Sequence, residues 1–226
     1  VQGMRVGVPK EFFANDLNSA VAETIEASLK ELEKLGAKLV DVSLPSTSLG
    51  VSTYYVIAPA EASANLSRYD GVRYGYRCDN PTDLQDLYLR SRTEGFGEEV
   101  KRRILIGAFT LSAASYDQYF MKAQQVRRLI SQEYEDVLSK VDVIAGPSAP
   151  NTAFALNDSS KSITDMYMED VFTIGANLAG LPAMSVPAGI VEGLPVGMQL
   201  IGRRFGEVDL LRLAHQFQQR TTWHTL

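Results

Sequence analysis

A single cysteine and only two histidines in 226 residues leave little material for redox or metal chemistry. Cys78 has no partner for an internal disulfide. His215 and His224 lie nine residues apart, with Cys78 far away in sequence, whereas a zinc site needs several ligands converging on one point. Both histidines read as surface or helix-end residues. Positive charge is not in excess either. With 22 basic against 27 acidic residues the formal net charge is -5, so no broad cationic field favours direct binding to a phosphate backbone. No signal peptide and no uncharged apolar run of about 18 residues occurs, which together with the lone cysteine fits a reducing cytoplasm. The nearest approach to a phosphate cradle, Gly95-Phe96-Gly97, lacks a third glycine and a preceding strand. Neither a G-x-S-x-G elbow nor an S-x-x-K pair is present, so no self-contained activated hydroxyl can be assigned. Asn65 and Asn157 open tripeptides of the glycosylation acceptor pattern, which without a secretory signal read as chance.

The 45% hydrophobic and 22% charged content suffices for one substantial core. Residues 4–8 read as a short buried strand closed by Pro9. Asn18 or Ser19 then caps a helix to about Leu35, whose apolar stripe is Val21, Ile25, Leu29, Leu32 and Leu35. Gly36 is the terminator, and residues 37–44 form the next strand. Strand, helix, strand in this order predicts a parallel pair joined by a crossover, hence an α/β class. Val1-Gln2-Gly3 leads straight into the first strand, so the sequence reads as a piece of something longer.

From about Thr53 to Lys140 helical periodicity replaces strand character, interrupted near Tyr69-Asp70-Gly71 and Asp79-Asn80-Pro81. Within this helical insertion Phe120, Ala123, Val126, Ile130, Tyr134 and Val137 mark one amphipathic helix. Ile104–Ala114 is apolar nearly all round and is expected to be deeply buried. Strands return at Val141–Ala145, stopped by Gly146-Pro147, at Ala183–Val186, and at Val196–Ile201. A last helix places Leu210, Leu213, Ala214 and Phe217 inward.

The turn-rich stretch over residues 177–202 is distinctive: Asn177-Leu178-Ala179-Gly180-Leu181-Pro182, a strand ending at Val186-Pro187, then Gly193-Leu194-Pro195-Val196-Gly197-Met198-Gln199-Leu200-Ile201-Gly202. It resembles the C-terminal hallmark of the amidase signature family. Gly146-Pro147-Ser148-Ala149-Pro150 and Gly3-Met4-Arg5-Val6-Gly7-Val8-Pro9 resemble two further family segments, so the likeness spans the chain. The stretches Glu61–Gly75 and Arg92–Ile104 resemble one branch of that family, the glutaminase subunits of tRNA-dependent amidotransferases.

The resemblance implies a mixed β-sheet flanked by helices, with the helical insertion at 53–140. Residues 1–226 would be the C-terminal part of one amidase-signature domain. It also implies glutamine hydrolysis, with the ammonia used by a partner subunit to amidate a glutamyl ester on tRNA. The partners would be subunits B and C of an amidotransferase, tRNA would be held by the partner rather than by this chain, and ATP and Mg would belong there too. The family's serine nucleophile, bridging serine and lysine base lie in an upstream signature absent here. Lys101, Lys122 and Lys140 therefore do not inherit the base's role, and no catalytic residue is assigned. By position in the matching motifs, Arg103 resembles the residue that holds the glutamine α-carboxylate, for which a guanidinium fork is well shaped. Asp170 resembles the acceptor for the α-ammonium, and Tyr54 a pocket-wall tyrosine. Other readings stand beside these: a structural ion pair for Arg103, an exposed helical carboxylate for Asp170, core packing for Tyr54. Gly197 and Gln199 would border the site through their strand, although a glycine needed only for close backbone approach fits the same pattern, and neither is read as catalytic. Lys101-Arg102-Arg103, preceded by Glu98 and Glu99, reads as a solvated helix face with one inward arginine rather than a tRNA contact. Another amide hydrolase of the family, or a noncatalytic docking module, are the competing functions.

Overall fold

The computed structural model describes residues 1–14, 17–156 and 162–225; Asn157 lies outside them. The chain divides into two compact units, one made of Val1–Val51 and Arg127–Leu226, the other of Ser52–Val126.

In the first unit, β1 (Arg5–Pro9) leads to α1 (Ser19–Lys34) and β2 (Lys38–Val42), with β1 and β2 parallel and Arg5 opposite Lys38. The ends of α1 follow from its sequence. The Asn18 side chain accepts the N–H groups of Ala20 and Val21 at 2.9 and 3.4 Å. At the other end Gly36 takes a φ of 93°, and the Ala37 N–H returns to the Leu32 carbonyl at 3.1 Å, a Schellman closure that needs a residue tolerant of positive φ.

The other strands are β3 (Val143–Pro147), β4 (Ala183–Val191) and β5 (Leu194–Gly202), giving one five-stranded mixed sheet of order β2-β1-β3-β5-β4. β3 is parallel to β1 and antiparallel to β5. Two punctuation marks in the sequence do not end strands as expected. Gly146 and Pro147 continue β3, opposite Gln199 and Met198, because pairing with β1 stops at Ile144 and Pro147 has no ladder bond to donate on that side. Val186-Pro187 does not close β4, which runs on to Val191 through an irregularity between Pro187 and Gly189. Proline is tolerated there because β4 is an edge strand. Glu192 and Gly193, both at positive φ, make the two-residue turn into β5.

Alternation along the strands divides the core. Val143 and Ala145 of β3, with Val196, Met198 and Leu200 of β5, join Val21, Ile25, Leu29 and Leu32 of α1 and Leu210, Leu213, Ala214 and Phe217 of α8 (Glu207–Arg220) in one apolar cluster. The intervening residues, Ile144, Gln199 and Ile201, point to the opposite face and are also buried.

The second unit contains most of α2 (Gly50–Leu66), α3 (Leu84–Gly95), α4 (Glu98–Thr110) and the start of α5 (Lys122–Leu138). Phe120 belongs to a π-helical turn, Tyr116–Met121, ahead of α5. The Ile104–Ala114 stretch is not deeply buried: Leu105 is 71% exposed and Phe109 56%. The reason is that α4 meets α2 along its smallest residue. A Cβ on Gly107 would fall 2.0 Å from the Pro59 carbonyl oxygen and 2.6 Å from the Ser63 Cβ, so the contact line lies there and the large side chains fan out away from it. Gly107→Ala is expected to separate α4 from α2 at a cost of about 1–3 kcal/mol, since neither backbone can yield. Hydrogen exchange should then show lost amide protection in both helices; protection equal to wild type would show that the approach is not required.

Candidate functional site

Arg103 rises from the middle of α4 and Tyr54 from the first turns of α2, and the structure brings these two together within the second unit. The Arg103 Nη1 donates to the Tyr54 hydroxyl at 3.3 Å, its Nε donates to Glu99 Oε1 at 3.1 Å, and its guanidinium lies over the Tyr55 ring, 6.0 Å from the centroid. Tyr55 in turn stands edge-on to Tyr54, with centroids 4.9 Å apart. The i,i+4 spacing on a helix makes the Glu99 contact possible, and the planar guanidinium allows hydrogen bonding at its edge and stacking on its face at once. Burial works to lower the Arg103 pKa, but its hydrogen bonds to Glu99 and Tyr54 outweigh it and hold the group above its ordinary value. Arg103 is therefore a fixed cation, gripped through Nε and Nη1. Among the described residues Nη2 has no partner, and the side chain is 33% exposed. That leaves an N–H edge free for an anion.

The neighbouring charges behave differently. Arg102 also pairs with Glu99, and Lys101 pairs with Glu98 at 2.7 Å. These are short-range helix pairs at the surface, each of modest strength.

Asp170 belongs to the first unit, in the turn between α6 (Ile163–Met168) and α7 (Ile174–Ala179). Its carboxylate is exposed and, among the described residues, engages no hydrogen bond or ion pair. Its backbone is firmly held. The Asp170 carbonyl accepts from Thr173 N–H at 3.0 Å, Ile174 N–H at 3.1 Å and the Thr173 hydroxyl at 3.1 Å. Next to it Phe172 is buried against Phe12, with ring centroids 5.4 Å apart. Phe12 itself sits where a Cβ on Gly146 would be, 2.5 Å from its Cδ2, so the glycine near the end of β3 admits the ring. α7 is seated equally closely: a Cβ on Gly175 would meet the Tyr134 hydroxyl at 2.3 Å.

Gly197 and Gln199 sit on β5, and Gln199 reaches the turn that carries Asp170. The Gln199 side chain, 3% exposed, donates to the carbonyls of Pro147 at 3.0 Å and Phe172 at 2.9 Å. Gly197 leaves room for the Ser148 and Ser185 hydroxyls, which bond to each other at 2.7 Å.

The stretch Arg68–Gly75 is organised by one carboxylate. Asp70, buried, accepts the N–H groups of Val72 at 2.8 Å and Arg73 at 3.0 Å, and these hold its pKa below the usual carboxylate range. Gly71 and Gly75, both at positive φ, complete the loop. His215 and His224 are exposed. No group of three or more metal-ligating side chains occurs among the described residues, and none of their helices is long and apolar enough to cross a membrane.

Glu99 and Tyr55 were not singled out as partners of Arg103 by sequence, although the Glu99 to Arg103 spacing carried that signal. Gln199 could be placed near the site but not given a bond, because its two acceptors are carbonyls 27 and 52 residues away.

The mixed sheet of this order, with the hairpin β4–β5 carrying Gln199 against the Gly146-Pro147 end of β3, is the frame of the candidate site. The chain belongs to the amidase family, whose model matches residues 1–211. It is 58% identical over 224 residues to the A subunit of the glutamyl-tRNA(Gln) amidotransferase of Nitrosococcus oceani and 59% identical over 223 residues to that of Saccharophagus degradans, in each case over 99% of this chain and 46% of the relative. The crystal structure of the corresponding glutamyl-tRNA(Gln) amidotransferase A subunit from Thermotoga maritima is similar at 48% identity and a TM-score of 0.71, over 95% of this chain and 42% of that one. A bacterial aryl acylamidase of the amidase signature family, 19% identical with a TM-score of 0.76, shares the fold. The chain thus spans about half the length of the curated relatives it matches.

Proposed function

We propose that this chain is the glutamine-holding part of a glutaminase subunit that releases ammonia for the conversion of Glu-tRNA(Gln) to Gln-tRNA(Gln). The observation that carries the reading is Arg103, a cation fixed by Glu99, Tyr54 and Tyr55 with an unengaged N–H edge. Identity approaching 60% to amidotransferase A subunits across the whole chain supports it.

In this reading Arg103 binds the α-carboxylate of glutamine through the free edge of its guanidinium, replacing water with a charge-assisted bond. Glu99 and Tyr54 prevent the fork from swinging away, and the tyrosine rings limit hydration around it. Asp170, with no side-chain partner among the described residues, accepts from the α-ammonium. Glutamine held by its amino-acid end presents its side-chain amide to the nucleophile. That nucleophile, a serine assisted by a bridging serine and a lysine, is assigned to no residue of this chain. The other partners are subunits B and C, with ATP, Mg and tRNA held by the partner subunit, in the cytoplasm.

Purified residues 1–226 are accordingly expected to release no ammonia from glutamine above a buffer blank; measurable turnover would overturn the assignment of the nucleophile elsewhere. In the complete assembly, Arg103→Ala should lower kcat/KM with glutamine roughly thirty-fold or more, and Arg103→Lys should also be impaired because it offers a point charge in place of a fork. Amidation driven by free ammonia should stay near wild type. Equal loss with both nitrogen donors would make Arg103 a folding or assembly residue. Asp170→Asn should raise the KM for glutamine by about tenfold, the loss of one charge-assisted hydrogen bond; unchanged kinetics would remove Asp170 from the site.

A further inference from the structure

Gln199 is a buried amide on the face of β5 turned away from α1 and α8, and its two N–H bonds go to the carbonyls of Pro147 and Phe172. Both carbonyls have a reason to be short of donors. Pro147 ends β3 at the point where pairing with β1 has stopped, and Phe172 lies in the irregular turn between α6 and α7. A glutamine amide is the side chain that can bridge two such acceptors while its own carbon chain stays in the core. Phe172 stands two residues from Asp170, whose carbonyl is tied by Thr173 and Ile174 into the same turn. The Asp170 carboxylate has no side-chain partner of its own among the described residues, so its placement is set by the backbone of that turn. Contacts that anchor the turn from outside include the Phe172 ring on Phe12 and the Phe172 carbonyl on Gln199, with a longer bond from Asn151 to Glu169 at 3.4 Å.

We infer that Gln199 is a positioning residue for substrate binding: through the Phe172 carbonyl it fixes the turn that presents Asp170, and so acts on glutamine affinity without touching glutamine. The inference rests on the proposed role of Asp170. A residue needed only for folding would lower every activity of the complex together. One that acts through Asp170 affects substrate binding, and its effect disappears once Asp170 no longer contributes.

The test uses the complete amidotransferase assembly. Gln199→Met keeps length and volume but removes both donors, and is expected to raise the KM for glutamine about tenfold while kcat changes little and ammonia-driven amidation stays at wild type. Combined with Asp170→Asn it should add nothing to the KM of Asp170→Asn alone. Additive effects in the double variant, equal loss with glutamine and ammonia, or an unchanged KM in Gln199→Met would each overturn the inference while leaving the role of Asp170 intact. An unchanged KM in Asp170→Asn by itself would instead remove the proposed role of Asp170, and the inference with it. Phe172→Leu loosens the same turn at its ring contact with Phe12 without removing a hydrogen bond, and carries the test if Gln199→Met fails to assemble. It should raise the KM several-fold without affecting ammonia-driven turnover, and a silent Phe172→Leu would overturn the inference.

Discussion

The first unit depends on the pairing of β3, the strand at which the sheet changes from parallel to antiparallel. All five of its residues are buried, with β1 beside its first half and β5 along its whole length. Because β1 pairs only as far as Ile144, the Gly146-Pro147 end is free to act as a platform instead of a ladder. Phe12 lies on the bare glycine, Phe172 lies on Phe12, and the Gln199 amide closes the gap between the two backbones. Burial of a polar amide here is stable only because both of its N–H groups find acceptors. Strand register thus sets Gln199 within reach of the Phe172 carbonyl.

The second unit is held together by different means. It has no sheet among its described residues, and its apolar side chains are arranged around a close helix contact at Gly107. What it fixes is a cation. Arg103 spends part of its donor capacity on Glu99 and Tyr54 and its face on Tyr55, losing conformational freedom before any ligand arrives. An anion meeting such a group does not have to order it, which is the general advantage of preorganised recognition.

Local rules made much of this legible in the sequence. The Asn18 cap, the Gly36 terminator, the α1 and α8 stripes and the parallel β1–β2 pair all rest on residues within a turn or a strand of each other, where periodicity and capping chemistry decide the outcome. The errors came where a tertiary contact overrides a local signal. Pro147 and Pro187 look like strand ends, but each lies where the ladder asks for no donor. Ile104–Ala114 looks like a buried helix, but its packing is set by the absence of a side chain at Gly107. Among the candidate site residues, Arg103, Tyr54 and Asp170 were reached through family likeness, since neither spacing nor charge pattern marks them. The Gln199 bonds were beyond either route, because a side chain that serves two distant carbonyls leaves no trace in local sequence.

The most direct test of glutamine recognition by Arg103 is a comparison of two substrates that differ only in the group it is proposed to hold. Glutamine and 4-aminobutanamide share the ammonium and the side-chain amide, but the latter lacks the α-carboxylate. Ammonia release by the complete assembly would be measured as kcat/KM for both, with wild-type protein and with Arg103→Ala. The wild type should prefer glutamine by about thirty-fold or more, and Arg103→Ala should bring the two substrates to within a few-fold by losing activity on glutamine alone. A preference for glutamine that survives the substitution undiminished would contradict the assignment of Arg103 to the carboxylate.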